Sequence, residues 1–220
     1  MYVKINFFRK MANIKPTVLV YGASHANHIA NTFRKSSDFY KIKLIQKTYP
    51  GQKIFGKNLE NMFPQEAYSL NESDFLIIQI MNNDLFYPGG IEKTLHPKTF
   101  HMIKFLPRPQ SELQKMFEEF KTLLSKIRAK VILIDFIYRG LCCMNHKHDQ
   151  IYSYQSKCNK LLKTIFREYY QDHLALCFSR KVAKRLKSPK HYPDILKDAV
   201  HLKDEHYVSM VKGLFRLLNL

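Results

Sequence analysis

No apolar run in these 220 residues reaches the roughly 18 that a membrane-spanning helix needs. The opening stretch, MYVKINFFRKMANIK, is basic, with no apolar core and no small-residue cleavage site of the kind a secretory signal carries. Cysteine is scarce: Cys142, Cys143, Cys158 and Cys177 are the whole set, and two of them are adjacent. That excludes a regular disulfide framework and predicts reduced thiols. There is no internal repeat, no low-complexity segment and no clear linker. These absences predict an intracellular, cytoplasmic protein, with the nucleus also open to it. Acidic residues are also in deficit, with 18 Asp and Glu against 36 Lys and Arg, leaving a net charge of +18. The densest run is RKVAKRLKSPKH, residues 180 to 191. Such a field attracts polyanions, either nucleic acid or an anionic membrane surface. A solvated basic face is the alternative.

Apolar residues make up 45% and charged residues 25%, the balance of a globular domain with a proper core. Short β-branched runs alternate with helical patterns. TVLVYG (17 to 22) is a buried strand closed by glycine, and HANHIANTFRKS after it is helical. YKIKLIQKTY (40 to 49) and DFLIIQIM (74 to 81) are the second and third strands. Residues 111 to 129 form the clearest helix. Its apolar stripe is Leu113, Met116, Phe117, Phe120, Leu123, Leu124 and Ile127, and Ser111 with Gln114 reads as a capping box. KVILIDF (130 to 136) is a fourth strand. Residues 149 to 171 are helical, with Tyr154, Cys158, Leu161, Leu162, Ile165 and Tyr169 on one face. LALCFS (174 to 179) is a fifth strand, and a last helix spans about 203 to 218. This alternation predicts an α/β fold with a parallel sheet covered on both faces. The domain is expected to run from 16 to 220, preceded by a basic arm over 1 to 15.

Ligands of such sheets bind beyond the carboxyl ends of the strands, so residues there carry most weight. Ser24 lies two residues past the first strand, where a helix begins and free backbone N–H groups collect. A nucleophilic serine gains from that place, because the same turn donates to the oxyanion it creates. Serine is also a common helix N-cap, and Ala26 breaks the G-x-S-x-G elbow pattern. Gly51, after strand two, lets a backbone N–H approach a ligand, or simply makes a turn. Asn83, after strand three, can aim its amide at the same oxyanion, with Asp84 holding the loop; both are also ordinary turn formers. Asp198 and His201, three apart, face the same way within one turn of chain, the spacing of an Asp that orients a His base. The bland alternative is a surface Asp and a half-buried His.

A serine, a glycine and an asparagine after strands one, two and three, with D-x-x-H before the last helix, resemble the SGNH hydrolases, also called the GDSL esterase family. The matching pieces are GASH, Gly51, MNND and DAVHL, and the resemblance spans about residues 16 to 218. It implies a flavodoxin-like three-layer α/β/α sandwich, here with a five-stranded sheet. It implies Ser24 as nucleophile, His201 as base and Asp198 as its orienting partner. The Ser24 N–H, the Gly51 N–H and the Asn83 amide would form the oxyanion hole. No metal or cofactor is implied. The family usually has Asp where this chain has Ala23, and Gly where it has Met81. Ala23 is expected to loosen the turn that holds the serine. The Ser24–His25 pair, with the basic charge, is also similar to esterase-like domains of LINE-type retrotransposon proteins. The expected activity is hydrolysis of a short-chain, acetyl-type ester, since no long apolar lid is evident.

Two other chemistries compete. GQKIFGKN (51 to 58) nearly matches a phosphate-binding loop, and VILID could supply a magnesium-binding Asp135. Asn58 lacks the hydroxyl that loop needs, and Pro50 removes an N–H. CCMNHKHD (142 to 149) could ligate metal, but its spacing fits no common zinc pattern, so a polar loop bordering the site is the expectation. A binding module that kept the fold and lost the chemistry is the remaining alternative; Ala23 and the charge favour it.

Overall fold

The computed structural model of the chain describes residues 15–50, 59–79, 85, 107–134, 148–169, 192–197 and 201–220. Among them four strands form one parallel sheet: β1 (Thr17–Gly22), β2 (Lys43–Thr48), β3 (Phe75–Gln79) and β4 (Lys130–Ile134), in the order β2-β1-β3-β4. That is the start of the flavodoxin-like order, in which the first strand sits inside the sheet. The expected fifth strand, 174–179, lies outside the described residues, as do arm residues 1–14.

Both faces of the sheet are buried at β1, β3 and β4, which is why these strands read as apolar runs, whereas the edge strand β2 is only partly buried and carries Lys43, Gln46 and Lys47. From β1, Val18 and Val20 point to one face and Leu19 and Tyr21 to the other. The first face is covered by α1 (Ser24–Lys35) and α6 (Asp204–Leu217), through Ile29, Phe33, Met210 and Leu214. The second is covered by α3 (Gln110–Leu124) and α4 (His148–Ile165), through Phe117, Phe120, Cys158 and Leu162. Each such side chain, taken from water to full burial, contributes about 1.5–3 kcal/mol. Two short helices, α2 (Leu59–Met62) and α5 (Tyr192–Ile195), and a 3-10 turn at Gln65–Ser69 complete the described elements. No described helix is long and apolar enough to cross a membrane.

Asp74 ties the amino ends of the strands together. It is 6% exposed, and its two carboxylate oxygens accept the backbone N–H of Thr17 at 2.7 Å and of Asn71 at 2.9 Å. Its carbonyl accepts the Lys130 N–H at 3.0 Å, so one residue links the starts of β1, β3 and β4.

Four local expectations fail. The helix expected over 149 to 171 stops at Ile165, and the Tyr169 N–H turns back to the Phe166 carbonyl. The second strand begins at Lys43, not Tyr40, because Phe39–Lys41 is a 3-10 turn closed by Lys41 N–H to Asp38 and Ile42 N–H to Phe39. Tyr40 points outward, at 66% exposure. The Ser111–Gln114 capping box does not form. Pro109 holds the N-cap place, so Ser111 is already inside the helix, and Gln114 donates to Glu118 instead. That helix also stops at Leu124 rather than 129. The Lys126 and Ile127 N–H groups turn back to Leu123 and Leu124 in tighter bonds, while Ile127 stays packed on the core.

Candidate active site

Gly22 ends β1 with φ +148°, a conformation side chains rarely tolerate. A Cβ there would stand 2.3 Å from the Gln79 carbonyl oxygen and 2.9 Å from the Ala26 Cβ. Glycine is therefore what lets β1 and β3 close up while the chain turns into α1. Gly22 is level with Thr48 on one side and Gln79 on the other, and its carbonyl accepts the Tyr49 N–H at 2.8 Å. The segments that carry Ser24, Gly51 and Asn83 thus leave three adjacent strands at one level.

Ala23, 4% exposed, takes the N-cap place of α1 and forms no side-chain cap; its carbonyl accepts the Asn27 N–H at 3.0 Å. The turn is closed by backbone alone. Ser24 is the first helical residue, not the cap, so the ordinary capping explanation of this serine does not apply. It is half-buried, and its hydroxyl makes no hydrogen bond among the described residues, to His201 or to any other group. Catalytic contacts in unliganded enzymes are often open and tighten on substrate binding.

His201 stands at the exit of a closed loop. Leu196 and Leu202 form an antiparallel bridge and are both buried. The Lys197 N–H donates to the His201 carbonyl at 2.8 Å, and the Lys203 N–H to the Ile195 carbonyl at 2.9 Å. The His201 ring lies 5.4 Å from that of His25 and 5.2 Å from that of His28. His28 is four residues after Ser24, hence on the same helix face one turn along. His201 therefore packs on the first two turns of the helix that Ser24 opens.

Tyr207, from the first turn of α6, braces this group. A 2.7 Å hydrogen bond joins its hydroxyl to His25 Nδ1, and its ring stacks on His28 at 4.8 Å and 14°. Sequence reasoning assigned Tyr207 and His28 no role at the site. The i, i+3 spacing of His25 and His28 just after the serine was the available signal.

Asp198, Gly51 and Asn83 lie outside the described residues, as do Met81, Asp84, the phosphate-loop-like segment 51–58, Asp135 and the loop 142–147. The flanks of Asn83 are described. Gln79 is buried at the end of β3, and the buried Leu85 offers its carbonyl to the Arg108 N–H at 3.0 Å and the Tyr154 hydroxyl at 2.7 Å. Burial raises the Tyr154 phenol well above its ordinary pKa, so it stays a donor. Beside it, burial pushes the Cys158 thiol up to about 11.

Between α1 and α6 runs a cleft of about 410 Å³ lined by Lys35, Lys197 and Lys212, with His28 and Asp204. Those three lysines form no ion pair among the described residues.

No protein-family model and no curated protein sequence matches the chain. Solved structures do match. An acetylxylan esterase, Axe2, from Geobacillus stearothermophilus superposes with a TM-score of 0.59 at 13% identity, over 93% of this chain and 94% of that one. A GDSL-like lipase from Parabacteroides merdae gives 0.57 at 13%, covering 93% and 96%. An α/β hydrolase, LAE5, from the metagenome of Lake Arreo gives 0.57 at 12%, covering 93% and 95%. The chain has the fold of the SGNH/GDSL hydrolases.

Proposed function

We propose that the chain is a serine ester hydrolase that cleaves short-chain, acetyl-type esters through an acyl-enzyme. The position of His201 carries this reading: its ring packs on the first turns of the helix opened by Ser24, in a fold shared with an acetylxylan esterase. Structures of that esterase described as catalytic mutants replace a serine in one case and an aspartate in another. Ser24 and Asp198 are the residues we assign here.

In this mechanism the Ser24 Oγ attacks the ester carbonyl carbon while His201 takes its proton. The carbonyl oxygen becomes an oxyanion that accepts hydrogen bonds from the Ser24 N–H, the Gly51 N–H and the Asn83 amide. The common level of Gly22, Thr48 and Gln79 supports this convergence, because the three donors leave neighbouring strands together. His201 then gives its proton to the departing alcohol. Water, deprotonated by His201, attacks the acyl carbon, and His201 returns that proton to the Ser24 Oγ as the acyl–oxygen bond breaks and the acid leaves. Asp198 holds the imidazole in the tautomer that accepts at the nitrogen facing Ser24. The half-buried serine, with no cap to satisfy, is available for this work.

Hydrolysis of 4-nitrophenyl acetate tests the proposal. Wild-type protein should turn it over, and Ser24→Ala should lose at least about 10³-fold in kcat. Equal rates in the two proteins would remove Ser24 as nucleophile.

A second reading concerns the basic surface. The α1–α6 cleft places Lys35, Lys197 and Lys212 around Asp204, the one carboxylate among its described lining residues, and this favours contact with a polyanion such as nucleic acid. Binding to a single-stranded oligonucleotide should weaken steeply as salt rises. No retention even at low salt would reject it.

A further inference from the structure

We infer that Tyr207 is a positioning residue for His201, acting through His25 and His28; its catalytic meaning rests on the esterase reading above. A general base must hold its nitrogen within about 2.6–3.2 Å of the oxygen whose proton it takes, and a misplacement of about 1 Å can cost about 10²-fold in rate. His201 follows a loop, and an imidazole there can turn about two side-chain bonds. Among the described residues, its ring packs on a wall that restricts this turning. That wall is two rings, His25 and His28, tilted at 53° and 54° to His201.

Tyr207 holds both rings at once. Its hydroxyl is joined to His25 Nδ1 at 2.7 Å, which restricts the rotation of a ring only 2% exposed. Its aromatic face lies nearly parallel to His28 at 4.8 Å, which fixes the second ring from behind. Tyr207 itself is 1% exposed, so neither contact is loosened by water. Its own place is set by Phe215 and Phe33 further along the same two helices, 5.2 Å apart, which lock α6 against α1. A leucine could fill the core at this point. Only an aromatic residue can stack on His28, and only tyrosine can do so while reaching His25.

The test compares Tyr207→Phe, which keeps the stack, with Tyr207→Leu, which loses both contacts. On 4-nitrophenyl acetate, Tyr207→Leu should lower kcat by about 10- to 100-fold with KM changed less than about twofold, while Tyr207→Phe should recover most of the loss. In parallel, the His201 ring is followed by NMR in protein carrying 13C-labelled histidine, its signal assigned with His201→Gln. The leucine variant should shift and broaden that signal. If Tyr207→Leu does not fold, His28→Ala opens the same wall from its half-exposed side and should give the same pair of changes. A folded variant with unchanged kcat and an unmoved His201 signal overturns the inference. Wild-type protein that hydrolyses no ester defeats the esterase reading instead. The NMR signal then decides alone: movement in Tyr207→Leu upholds the positioning of His201, and no movement ends it.

Discussion

Replacing Gly22 by alanine probes the joint on which the site is built. The added Cβ would lie 2.3 Å from the Gln79 backbone oxygen, about 1 Å short of van der Waals contact. The obstacle is a carbonyl inside the β1–β3 pair, so no side-chain rotation relieves it. Overpacking of this kind costs about 1–3 kcal/mol. Holding a non-glycine residue at φ +148° costs about 1–3 kcal/mol more. The combined loss is a large part of the ~5–15 kcal/mol that stabilises an ordinary domain. At about 2–4 °C per kcal/mol for a chain of this size, the melting temperature should fall by roughly 10 °C. Thermal unfolding followed by circular dichroism reads this directly. Adding Ala26→Gly removes the 2.9 Å contact but leaves the backbone clash, so the double variant should not recover. A shift below about 2 °C for Gly22→Ala would refute the reasoning, because it would mean that the strands can part at this point without cost.

Ser24→Ala should abolish ester hydrolysis yet leave the melting temperature within about 1 °C, since the hydroxyl caps nothing and makes no described hydrogen bond; a large destabilisation would restore a structural role to this serine. Asp74→Asn should cost about 1.5–3 kcal/mol in urea unfolding, because an amide cannot accept from both Thr17 and Asn71 without turning its NH₂ toward a donor. An unchanged midpoint would argue against the carboxylate tie. Cys158, its thiol raised from near 9 to about 11 by burial, should resist iodoacetamide at pH 8 in folded protein and react after unfolding, as peptide mass mapping would show. The folded state binds that proton more tightly, so the stability it contributes is present below the ordinary thiol pKa and lost as pH rises from about 9 to 11. Rapid labelling of the native thiol would contradict its burial.

The architecture was legible because each buried strand had apolar residues on both faces, and each helix carried a stripe at helical spacing. TVLVYG and Thr17–Gly22 coincide, and the last helix runs Asp204–Leu217 against an expected 203 to 218. Failures fell at ends. Tyr40 and Lys41 alternate like a strand, but the turn at Phe39–Lys41 is decided by backbone bonds that no residue type announces. Ser111 fits a capping pattern, yet Pro109 starts the helix earlier. At the candidate site, the place of Ser24 at the start of α1 was legible from the glycine-closed strand before it. Its neighbourhood was not. The contact between His25 and Tyr207 spans 182 residues, and nothing in either segment announces the other. Tyr154 reaching the Leu85 carbonyl, 69 residues away, is equally silent in sequence.

That 182-residue span has a consequence for how the protein is made. Ser24 and its helix leave the ribosome early, but the ring that braces His25 is translated long afterwards. Until α6 arrives, Ile29 and Phe33 lack the part of their burial that Met210 and Leu214 supply, and α1 covers only its own share of that face of the sheet. A nascent chain of this design carries a sticky surface through most of its synthesis, and the brace on His25 is complete only when the closing helix docks.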